Sequence, residues 1–217
     1  MKIDPPVDAQ KLLSEFFKRL EGDQASQILT SLEACMHGEN VSLINIVPVP
    51  GKATWESRGP LTIVTLPGSE GLTGPELIAR LDDQGKRLSD EAQLIMRSEN
   101  FKPTHPGFVH KVVLLKANYW MENDKRTIQV VQAEGVLRKW SELHMEVMPM
   151  IRGCFSDRQL EKMGLRWIMG MHKPIVVKNR PRLLLVSRGL FGRYLGVHSA
   201  YPDSSCLSSG AFAWSIP

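Results

Sequence analysis

The sequence predicts an α+β fold in a single domain spanning residues 1–217. The expected parts are an N-terminal helical hairpin, a mixed middle region and a C-terminal antiparallel sheet. Three observations carry this prediction. Apolar residues recur at helical spacing up to residue 37. Short β-branched and aromatic runs, separated by turn residues, fill the C-terminal third. Hydrophobic side chains make up 42% of 217 residues, which is enough for a substantial core. No internal repeat and no long polar linker interrupts the chain.

Asp8 is an N-cap type of residue, and Leu12, Leu13, Phe16, Phe17 and Leu20 follow at helical spacing. Gly22-Asp23 breaks and restarts the pattern. Ile28, Leu29, Leu32, Cys35 and Met36 form a second stripe, stopped at Gly38, so residues 8–37 read as the hairpin. Residues 41–49 are β-branched, with Pro48 and Pro50 confining them to an edge, and a Gly/Pro-rich loop is expected next. Residues 61–66 alternate as a strand, and 67–71 form a turn. Thr73-Gly74-Pro75-Glu76 is a capping box opening a helix on Leu77, Ile78 and Leu81 that ends at Gly85. Ser89 caps another helix, reaching residue 98. Residues 108–116 form the best strand of the middle region. Residues 127–134 suit a helix ending at Gly135, although Ile128, Val130 and Val131 would also suit a strand.

Ser156-Asp157-Arg158-Gln159 is a second capping box, and Gly164-Leu165 fits a Schellman stop. Strands are expected over 166–172, 182–188, 193–198 and 211–216, at hairpin spacing. Alternation puts Arg166, Ile168, Gly170 and His172 on one side of the first of these strands, and Trp167, Met169 and Met171 on the other.

Charge is uneven. The first 100 residues carry 10 basic and 15 acidic side chains, and residues 101–217 carry 17 and 8. From Lys162 to Pro202 there are eight cations and no acid. This acid-free stretch leads us to expect a binding protein whose basic C-terminal sheet contacts nucleic acid or another polyanion. The expected contact residues are Lys173, Lys178, Arg180, Arg182, Arg188 and Arg193, with Trp167, Phe191, Tyr194 and Tyr201 interleaved. Two other readings stay open. One is a non-catalytic assembly subunit with a protein partner or a second copy, using the hairpin and a Met-rich surface between Met145 and Met171. The other is a metal-independent nuclease using His172 and His198 as acid and base.

Familiar chemistry is otherwise missing from the sequence. There is no Walker loop, GxSxG, HExxH or CxxC, so no cofactor, metal or catalytic residue is assigned. Cys154 with His144 could serve a nucleophile, but a cysteine between Gly and Phe reads first as a small buried hydrophobe. No run reaches the length of a membrane span, and residues 1–6 do not read as a secretory signal. Cys35, Cys154 and Cys206 are odd in number and far apart, as expected of a cytoplasmic protein. The tail from Cys206 to Trp214 resembles the end of some CRISPR RNA-processing endonucleases. The N-terminal half does not follow that family, and no family is assigned.

Overall fold

The alternation of apolar side chains along the strands builds the described residues around one sheet with two covered faces. The computed structural model describes residues 52–122, 125–189 and 192–216. The chain divides by its contacts into Met1–Val49 and Pro50–Pro217, and every described residue falls in the second unit. The hairpin expected over 8–37 and the strand expected over 41–49 lie outside the described residues.

Nine strands are present among the described residues: β1 Thr54–Arg58, β2 Leu61–Gly68, β3 Arg87–Leu88, β4 Val109–Lys116, β5 Trp167–Gly170, β6 Ile175–Val177, β7 Arg180–Gly189, β8 Gly192–Ser199 and β9 Ala211–Ser215. The helices are α1 Gly74–Asp83, α2 Asp90–Met96, α3 Ile128–Leu137, α4 Val147–Cys154 and α5 Asp157–Lys162. The sheet order is β1-β2-β4-β9-β5-β7-β8-β3, with β6 also paired to β7. The α+β class is therefore observed, but the C-terminal strands do not form an antiparallel sheet of their own. They join β1, β2, β3 and β4 in one mixed sheet, in which β5 runs parallel to β9 and β3 parallel to β8. The cause is visible in composition. Trp167–Gly170 and Ala211–Trp214 are buried on both faces, and such strands belong inside a sheet rather than at the end of a meander.

Successive residues of the inner strands feed two separate cores. Val112 and Leu114 of β4, Ala211 and Ala213 of β9, Ile168 of β5 and Leu184 and Val186 of β7 face one side. There they meet Leu77, Ile78 and Leu81 of α1, Ile95 and Met96 of α2, Met148 and Ile151 of α4, and Leu160 of α5. Val113, Leu115, Phe212, Trp214, Trp167, Met169 and Leu183 face the other side, against Trp120, Ile128, Val131 and Cys206. Fully burying each large aliphatic or aromatic side chain is worth about 1.5–3 kcal/mol, so both cores are needed to hold the sheet. α3 lies close over β9 because residue 135 is glycine: a Cβ there would sit 2.4 Å from the Trp214 ring nitrogen.

The predicted caps form. The Glu76 carboxylate accepts from the Thr73 amide and hydroxyl, both at 2.7 Å. The Ser89 hydroxyl accepts from the Ala92 amide, and that of Ser156 from the Gln159 amide. At the end of α5 the Leu165 amide donates to the Leu160 carbonyl at 2.9 Å, with Gly164 at φ 78°, the Schellman arrangement. Four elements differ from expectation. β1 occupies the expected Gly/Pro loop, β3 and β6 add short strands, and α4 forms around Pro149. Pro149 stands third in its helix, where an amide would have no intrahelical acceptor, so the ring costs no hydrogen bond there.

Candidate functional site

β7 carries three of the six predicted contact residues and divides them. Lys178 and Arg180 are exposed at the β6–β7 hairpin, and Lys173 is exposed just before β6. The hairpin turn places Lys178 at φ 49° and Asn179 at φ 60°, the left-handed pair of a type I′ turn. Arg188 lies at the other end of β7. At ~3.3 Å per residue, about 26 Å of strand separates it from Arg180. Arg193 is the cross-strand partner of Arg188, and its side chain lies outside the described residues.

Two of the predicted cations are already engaged within the fold. Arg182 pairs with Glu91 of α2 at 3.0 Å. Arg188 pairs with Glu161 of α5 at 3.1 Å and donates through Nε to the Leu165 carbonyl at 2.9 Å. Both sit on the face shared with Leu184 and Val186, which the helices cover, so their heads meet helix-borne acids. Lys173, Lys178 and Arg180 make no ion pair among the described residues.

A hollow of about 270 Å³ opens on the opposite face, beside the end of β7. Trp167, Met169 and Leu185 form its apolar floor. Arg166, His198, Ser187, Ser205 and Ser209 supply the polar lining, Arg188 borders it with its head turned to Glu161, and among the described residues no carboxylate lines it. Arg166 is exposed and makes no ion pair among the described residues. The Nδ1 of His198 donates to the Ser199 carbonyl at 2.8 Å, which leaves Nε2 as an acceptor or second donor. The sequence pointed to Arg188, Trp167 and His198 here. It gave no sign of Ser205 and Ser209, which arrive on the loop before β9.

His172 has a different role from the acid–base one considered for it. It stands in the break between β5 and β6, where the ladder along β7 shifts register. Its Nε2 accepts from the Leu184 amide at 2.9 Å, and its Nδ1 donates to the Lys173 carbonyl at 2.8 Å. The ring thus stands in for a missing backbone acceptor. Burial pushes its pKa down to about 4, so it is neutral at ordinary pH and has no proton to give. The Met-rich segment likewise faces inward in large part: Met148, Met163, Met169 and Met171 are core residues.

A second polar group, on the helical side, had no local signal. Glu146, at the N-cap of α4, is 1% exposed and accepts from three side chains, with the Thr104 amide also directed at it. The Ser69 hydroxyl donates to its Oε2 at 3.1 Å. The His110 Nε2 donates to its Oε1 at 2.6 Å, and the Thr104 hydroxyl donates to the same oxygen. Burial pushes the Glu146 carboxyl up, but the bonds from His110 and Thr104 outweigh this and hold it below the ordinary carboxylate range. Phe108 stacks edge-on with His110, and its ring centre is 6.1 Å from that of His144. Among the described residues no group of three His, Cys, Asp or Glu side chains has the geometry of a metal site. Cys154 and Cys206 are free thiols, and burial raises the pKa of both, that of Cys206 to about 11, so neither is an activated nucleophile.

No helix among the described residues is long and apolar enough to cross a membrane. No family model matches the chain, and neither a curated protein nor a solved structure is significantly similar to it.

Proposed function

We propose that the chain binds single-stranded nucleic acid through the hollow beside the end of β7. The observation that supports this reading is the composition of its lining. An aromatic and aliphatic floor lies beside Arg166, a histidine and three serines, and among the described residues no carboxylate lines it. A planar base rests against Leu185, which keeps exposed surface above the buried Trp167 and Met169, and the adjoining phosphate meets Arg166. Such pairing of an apolar platform with cations is how sequence-tolerant single-strand binding works. Lys173, Lys178 and Arg180 offer a second, more distant set of phosphate contacts along β7.

The test is a salt titration of binding to a mixed-sequence single-stranded oligonucleotide. Affinity falls linearly with salt on logarithmic axes, with a slope of about −0.7 per phosphate neutralised. Arg166→Glu lowers affinity by at least about tenfold and shallows the slope by about one contact. Binding that ignores salt, or that Arg166→Glu leaves intact, rejects the reading.

A further inference from the structure

β1 forms one outer edge of the sheet, and among the described residues it pairs with β2 alone. Thr54, Glu56, Ser57 and Arg58 are exposed, and Trp55 is half-buried. The opposite end of the sheet closes on β3, whose two residues are too few to recruit another strand. β1 has five residues in unbroken register with β2, and no proline, lysine or bulge blunts it. Such an edge offers amides and carbonyls to an added strand.

Charge selects the strand that fits. Glu56 and Arg58 share one face of β1, opposite Ile63 and Leu61 of β2. They pair with each other at 2.9 Å, but at 64% and 75% side-chain exposure that contact is loosely held and exchanges readily. A second copy meeting β1 antiparallel is related to it by a two-fold axis normal to the sheet. Like faces then coincide, and the copies slide only in steps of two residues. Centred on Ser57, Glu56 of each copy stands opposite Arg58 of the other. Centred on Glu56 or on Arg58, that residue meets itself. Centred on Trp55, Arg58 meets Lys52. Only the Ser57 register sets unlike charges across the edge, where they attract, and the others set like charges together. We propose that β1 is a homodimerisation edge, paired antiparallel about Ser57 with β1 of a second copy, with two Glu56–Arg58 pairs across the junction. One continuous sheet then runs through both copies.

The test is sedimentation equilibrium of the full chain. An interface this small is weak, so association is followed from about 5 µM to about 500 µM protein. The mass rises from that of one chain towards that of two. Glu56→Arg and Arg58→Glu each place like charges at both symmetric contacts, and each weakens association by at least about tenfold. The double exchange, Glu56→Arg with Arg58→Glu, restores unlike pairs and returns the affinity to within about threefold of the wild type. The double variant also carries both substitutions, so its recovery shows that dissociation in the single variants does not come from damage to the fold. A single-chain mass at every concentration overturns the proposal. So does a dimer that either single reversal leaves intact, or a double exchange that stays dissociated.

Discussion

Acid weakens this fold through His172 before it reaches Glu146. In the folded chain the ring must accept from the Leu184 amide at Nε2, which only the neutral form can do. Its folded pKa is about 4, against an ordinary value of 6.5. Between those two values the unfolded chain binds a proton that the folded chain refuses. The stability held by His172 is therefore complete above pH 6.5 and is lost progressively as pH falls towards 4. At ~1.4 kcal/mol for each pH unit, the loss reaches about 3 kcal/mol across the window, a large share of the stability of an ordinary domain. Glu146 works in a lower window. Its folded pKa lies below 4.5, so its contribution is present above 4.5 and is lost only as pH falls beneath that value. Urea melts of the wild type and of His172→Gln, taken at steps from about pH 7 to about pH 4.5, separate the two effects. Glutamine supplies an acceptor oxygen for Leu184 and does not titrate, so its stability falls by only a small part of the wild-type loss over that range. Parallel pH dependences in the two proteins would refute the reasoning.

Four other substitutions probe the frame. His110→Leu leaves Glu146 short of a buried charge-assisted bond and costs about 3–5 kcal/mol by chemical denaturation. Gly74→Ala places a Cβ 1.6 Å from the Met96 carbonyl oxygen, so α1 and α2 must separate. It costs about 3 kcal/mol, seen as a lower urea midpoint. Asn179→Gly removes one left-handed non-glycine residue from the β6–β7 turn and stabilises the protein by about 0.5–1 kcal/mol. Thr73→Ala removes the cap of α1 and costs about 1 kcal/mol, read in the same denaturation assay.

The sequence made local devices legible and long-range ones obscure. Capping boxes at Thr73 and Ser156 and the Schellman stop at Gly164 are complete within a few residues, so their chemistry reads directly. The alternation of Trp167, Ile168 and Met169 likewise predicted which face each would take. Strand neighbours could not be read this way. β9 pairs with β4 and β5, about a hundred and about forty residues earlier, and both faces of each are apolar, so periodicity cannot choose a partner. The Glu146 network joins residues 69, 104, 110 and 146 and has no spacing to betray it. For the basic stretch, composition located the cations correctly but not their partners. Glu91 and Glu161 lie outside the acid-free segment and still reach Arg182 and Arg188.

The place of β9 has a consequence for biosynthesis. Ala211–Ser215 is the last of the described strands in chain order, and it lies between β4 and β5. Until the ribosome has released this segment, β1-β2-β4 and β5-β7-β8 have no strand to join them. Each waits with an open hydrogen-bonding edge, at β4 and at β5, flanked by side chains such as Leu114, Leu115 and Ile168 that end up in the cores. An open apolar edge is a template for pairing with another nascent chain. Assembly of this sheet therefore waits on β9, and the interval before β9 is made is the period in which these strands most need a chaperone.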